Sequence, residues 1–140
     1  MITPNEFRQL RLKPFVPSWS VVELENWQFM GESWVGEALG FSEWLRLESN
    51  PDALGSLAID FSTFPPDAAR AVFERIGLPL HGGMTVQEVE GVLGKRLSAQ
   101  RHVKGRISLS FLAGRESEYS LSCTILAEGG LVFVVITLGL

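Results

Sequence analysis

Few side chains in this sequence have the chemistry of a reaction centre. Cys123 is the single cysteine, His81 and His102 are the two histidines, and Asp60 stands at the end of an apolar stretch. A cysteine nucleophile needs its thiol ionised by a neighbouring base or a helix N-terminus, and either histidine could supply that base. Cys123, however, falls in phase with Tyr119, Leu121 and Ile125 in an alternating run, where a small buried hydrophobe belongs. His81 precedes Gly82-Gly83 at a helix entrance, where backbone N–H groups could meet an anion. No phosphate-loop pattern accompanies it. Asp60 is out of phase with Leu57, Ile59 and Phe61 and reads as solvent-facing. No pair of carboxylates is placed for glycosidase chemistry, and no Cys/His spacing suits zinc. No cofactor is expected. An enzyme or small-molecule-binding protein would need a cleft bringing His81, Cys123 and Asp60 together.

Binding chemistry is more evident than catalysis. Four tryptophans lie between positions 19 and 44, among Glu23, Glu25, Glu32, Glu37, Glu43 and Glu48. Exposed Trp among acids suits an interface with a basic protein, the ring anchoring affinity and the charge speeding encounter. Trp34, in a Gly-rich stretch, and Trp44, alternating with Leu45, are the expected anchors, with Glu32, Glu37 and Glu43 around them. The plainer account places several Trp in the core as large hydrophobes. A basic cluster, Lys95, Arg96, Arg101, Lys104 and Arg106, could contact phosphates. It lacks aromatic residues for base stacking, so a solvated strand-and-turn face is expected and nucleic acid is not.

These groups sit in a chain of 140 residues, 46% hydrophobic and 20% charged, with net charge −4. That is one globular domain, large enough for a core without disulfides. Residues 1–64 and 65–140 are possible subdomains. Residues 1–70 carry ten acidic and five basic groups; residues 71–140 carry six and seven. The longest apolar run, Leu131 to Ile136, is too short to span a bilayer, and the first residues lack a signal-peptide pattern. A cytoplasmic protein without membrane partners is expected.

The elements follow from periodicity. Alternation predicts strands from Trp19 to Phe29 with a bulge near Asn26, from Phe41 to Glu48, and from Ser56 to Phe61, with a turn at Asn50-Pro51-Asp52. Ala68, Ala69, Val72, Phe73 and Ile76 recur at helical spacing after Pro65-Pro66-Asp67, and Gly77 then Pro79 stop the helix. Thr85 and Glu88 form a capping box for a second helix ending at Gly94. Strands follow at 97–103, 106–112, 119–126 and 131–138. The last is apolar on both faces, so it is central, or its second face meets another copy of the chain. The expected fold class is α+β: a strand-rich N-terminal half, two short central helices and a C-terminal antiparallel sheet of three to four strands.

The run Gly83-Met84-Thr85, Val89, Leu93-Gly94 resembles the Gly-Met-Thr…Val…Leu-Gly signature of the SmpA/OmlA-type lipoproteins. Residues 66–138 are also similar to the repeat unit of β-lactamase inhibitor proteins. The resemblance implies a two-helix-on-sheet fold and a non-catalytic, inhibitor or immunity-type binding module. No lipid-bearing N-terminal Cys is present, and the Trp-rich first half has no counterpart in that pattern.

Overall fold

The computed structural model describes residues 1–15, 27–30, 33–36, 40–46 and 50–139. Among these residues, eight strands form one antiparallel sheet: β1 (Trp27–Met30), β2 (Ser33–Gly36), β3 (Phe41–Arg46), β4 (Asn50–Asp60), β5 (Ser98–Arg101), β6 (Arg106–Ala113), β7 (Tyr119–Leu126) and β8 (Gly130–Leu138). Their spatial order is β1-β2-β3-β4-β8-β7-β6-β5, so β8, the apolar strand, sits in the interior. Among the described residues, three helices accompany the sheet: α1 (Pro4–Gln9), α2 (Pro66–Ile76) and α3 (Val86–Leu93). A 3₁₀ turn spans Lys13–Phe15.

The helices form where end signals and periodicity agree. Thr3 and Glu6 make a reciprocal capping box for α1, as Thr85 and Glu88 do for α3. Gly77, in the left-handed region at φ 85°, closes α2 by donating to Phe73. Ala68, Ala69, Val72, Phe73 and Ile76 turn one stripe of α2 inward. Burying its larger side chains contributes roughly 1.5–3 kcal/mol each.

Residues directly opposite one another in an antiparallel ladder share a face. One face carries Phe41, Leu57, Ile59, Ile136, Leu121 and Phe111, which join Phe7 of α1, the α2 stripe and Val89 of α3 in a single core. Phe7 meets Tyr119 edge-on, with centroids 5.3 Å apart, and the Tyr119 hydroxyl donates to the Ile2 carbonyl at 2.9 Å. The three described helices therefore lie on one side.

This architecture corrects the expected one. The N-terminal half is only partly strand, opening instead with α1 and the 3₁₀ turn. There is no separate C-terminal sheet of three to four strands, because β4 pairs with β8 from Ser56↔Thr137 to Asp60↔Phe133 and joins residues 1–64 and 65–140 in one ladder. Alternation within a strand reports its faces and not its partner, so the join was invisible locally. Asn50-Pro51-Asp52, expected as a turn, instead opens β4. The β3–β4 ladder shifts register at Leu45 and Arg46, and a proline is tolerated at such an irregularity. Of the expected strand Trp19 to Phe29, residues 19–26, the bulge at Asn26 included, lie outside the described residues.

Candidate functional site

The second face of the sheet carries no helix among the described residues. Its register rows can be read across the strands. One runs Trp44, Ser56, Thr137, Ser120, Leu112; a second runs Ser42, Ala58, Val135, Ser122, Ser110, Ser98. A third runs Asp60, Phe133, Thr124, Ser108, Gln100. Small hydroxyl residues thus pave the face, and a few apolar side chains stand among them. On β4, Ser56 and Ala58 of this face are buried, Trp44, Phe133 and Val135 are half-buried, and Leu112 on β6 is 44% exposed, so the face opens toward β6 and β5. The hydroxyls are partly paired: Ser56 Oγ lies 2.9 Å from Thr137 Oγ1 and donates to the Ile136 carbonyl. Hydroxyl side chains with scattered apolar ones on one side, and continuous apolar packing on the other, is what this alternating composition folds into.

One end of this face is hollow and cationic. A cavity of about 760 Å³ lies against the β5–β6 turn, with Lys104, Arg106 and His102 beside Ser108 and Thr124. His102 Nε2 is 3.1 Å from Ser108 Oγ, which is 3.4 Å from Thr124 Oγ1. The turn places Lys104 at φ 64° and Gly105 at φ 69°. The Gly105 carbonyl accepts from Ala127 N–H at 2.7 Å, tying this turn to the β7–β8 turn.

The expected interface residues separate. Trp44 is on the open face, opposite Ser56. Glu43, its chain neighbour, points the other way, in phase with Phe41 and opposite Leu57, and is 3% exposed. Its carboxylate accepts the Leu12 backbone N–H. Burial raises its pKa above the ordinary range, opposed by the Leu12 hydrogen bond and the Arg11 charge. Glu43 is therefore internal and not part of an acidic face, because consecutive strand residues alternate sides. Trp34 lies on β2 opposite Glu43 in the ladder. Glu32 and Glu37 lie outside the described residues.

The possible reaction centre does not assemble. Cys123 is fully buried on the core side, between Leu109 and Val134 in the ladder, and desolvation pushes its thiol up to about 12. That is the opposite of an activated nucleophile. Asp60 lies on the open-face row and accepts from the Ser62 N–H and hydroxyl. His81 is exposed ahead of α3; its Nδ1 lies 2.9 Å from the Gly82 carbonyl, which only accepts, so the ring nitrogen donates. His81 borders a groove of about 640 Å³ formed by Phe61, Phe73 and Leu78, which neither Cys123 nor Asp60 reaches. Among the described residues, no cluster of three His, Cys, Asp or Glu side chains could hold a metal ion, and no helix is long and apolar enough to cross a membrane.

The hydroxyl paving and the cavity were missed in the sequence. Their signal was present as Ser108 and Ser110 alternating with Ile107, Leu109 and Phe111, but only strand pairing sets Thr124 and His102 beside them. Compared with known protein families, curated proteins and solved structures, the chain matches none.

Proposed function

We propose that this chain is a non-enzymatic, cytoplasmic protein-binding module of inhibitor or immunity type, and that its contact surface is the open face of the sheet. The observation that carries the reading is the one-sided architecture. Every described helix packs on one face, while the other presents Trp44, Phe133, Val135 and Leu112 in a hydroxyl-paved surface. Aromatic anchors set among small polar groups are the composition of a contact patch. The helix–helix–strand order of residues 66–138, which resembles the SmpA/OmlA lipoproteins and β-lactamase inhibitor proteins, supports the same reading. So does the burial of Cys123. The acidic balance of residues 1–70 favours a partner that is basic where it meets the Trp44 end.

The test begins with a photo-cross-linking residue at Ser122, in the middle of the open face, and another at exposed Glu74 on α2. A partner trapped from Ser122 and not from Glu74 is purified, and its affinity is measured by calorimetry. Trp44→Ala and Leu112→Ser are expected to weaken binding, the first by about 2 kcal/mol or more, roughly thirtyfold. Full affinity in both variants, with circular dichroism unchanged, contradicts the reading.

A further inference from the structure

We infer that the cavity at the β5–β6 end of the open face is a binding site for a small phosphate-bearing molecule. Three nitrogen-bearing side chains, His102, Lys104 and Arg106, converge on it together with the hydroxyls of Ser108 and Thr124. Among the described residues, neither Lys104 nor Arg106 has a carboxylate within ion-pair distance; the ion pairs found are Arg75 with Glu6 and Arg96 with Glu90. Like charges gathered without counter-charges repel one another, and a bound dianion removes that cost. Arg supplies a planar fork of donors and Lys a compact charge, the combination that suits phosphate oxygens.

The hydroxyls complete the donor set. A Ser or Thr hydroxyl rotates to donate wherever an acceptor arrives. The His102–Ser108–Thr124 chain, at 3.1 and 3.4 Å, holds the two hydroxyls in line along the cavity floor. Val103 and Leu126 add apolar side chains to the lining, which offer contact to the rest of the ligand. A volume of about 760 Å³ falls in the range of small-molecule sites. Lys104 itself stands in the left-handed region, a conformation that is costly for lysine and free for glycine. Strain retained beside a cavity is the pattern of a functional position. The inference is independent of the protein-docking reading, since it needs neither Trp44 nor a partner.

Calorimetry and amide NMR on the full chain, titrated with inorganic pyrophosphate at low ionic strength, test it. Saturable binding is expected, with shifts confined to residues 102–108 and 124–127. Arg106→Gln and Lys104→Gln should each weaken binding about tenfold or more. Arg115→Gln, in the exposed β6–β7 turn, should leave it unchanged. Acetate at matched ionic strength should bind more weakly. No saturable binding at millimolar pyrophosphate, or equal loss in Arg115→Gln, overturns the site. Tighter binding of a single-stranded oligonucleotide than of pyrophosphate, abolished by Arg106→Gln, also overturns it by reassigning the face to nucleic acid.

Discussion

Glu43 brings a carboxylate to the apolar side of the sheet, where burial penalises its charge more than the Leu12 N–H and the Arg11 charge favour it. Because burial holds its pKa above that of an unfolded glutamate, the folded chain keeps a proton that the unfolded chain has already released. Stability from this group is therefore lost as pH rises from the ordinary glutamate value through the folded one. Glu43→Gln keeps an acceptor oxygen for Leu12 and removes the ionisation. Urea unfolding at pH 5 and pH 8 is expected to show the parent losing more stability than this variant across that interval; equal losses would contradict the assignment. Glu43→Ala, leaving the Leu12 N–H unpaired, should cost about 1–3 kcal/mol at both pH values. The direction of this side chain was legible in the sequence. Glu43 shares the phase of Phe41 and Leu45, and Trp44 the opposite one, so the two could never have formed one surface. Charge composition had obscured what alternation already stated. Cys123 was read more simply, because its phase with Leu121 and Ile125 is its burial.

At the scale of elements, β8 and the segment entering α3 are locked together where the sheet starts to be covered. Gly83 N–H donates to Leu131 O at 2.9 Å, and Leu131 N–H donates to Met84 O at 2.8 Å. Gly130 makes that approach possible: at φ 74°, a Cβ there would lie 2.3 Å from the Gly83 oxygen and 2.7 Å from that of Met84. Both obstacles are backbone, so neither yields cheaply. Gly130→Ala is expected to cost about 3 kcal/mol from strain and overpacking, roughly 10 °C in Tm for a chain of this size. Gly91, mid-helix in α3 with nothing within 4 Å of its virtual Cβ, supplies the opposite sign. Gly91→Ala should stabilise by up to about 1 kcal/mol. Thermal unfolding of the two variants checks both, and similar Tm values would refute the contrast. Caps made α2 and α3 legible, since Thr85-Glu88 and Gly77 are local signals. The Thr3-Glu6 box is the same signal for α1, but six residues give too little periodicity to stand out. The cavity was illegible because its members come from two strands and a turn.

Over the whole molecule, the sheet of described strands ends at β1 on one side and β5 on the other. All four residues of β5 are exposed, and Leu97 and Val103 beside it are 63% and 83% exposed. Such an edge is a template for pairing with a second copy. Its brevity and the positive charges at Arg101, Lys104 and Arg106 oppose that pairing. Gln100→Val combined with Arg101→Val should therefore increase association, seen as a shift to faster-sedimenting species as concentration rises. An unchanged distribution would show that charge is not what protects the edge. The apolar second face of residues 131–138, which the sequence left open to another copy, lies in mid-sheet with Phe133 and Val135 half-buried.

The position of β8 between β4 and β7 also sets an order of events during synthesis. The strand that joins the two sides of the sheet is synthesised after every other described strand. Until it arrives, β4 and β7 each expose an unsatisfied flank, and α2 has no complete floor on which to settle. Pairing residues some 75 positions apart is slow compared with closing a hairpin, so the nascent chain passes through a stage with two sticky half-sheets. With β8 withheld, no ladder joins β1–β4 to β5–β7, and its pairing with β4 and β7 converts the two into a single folded body.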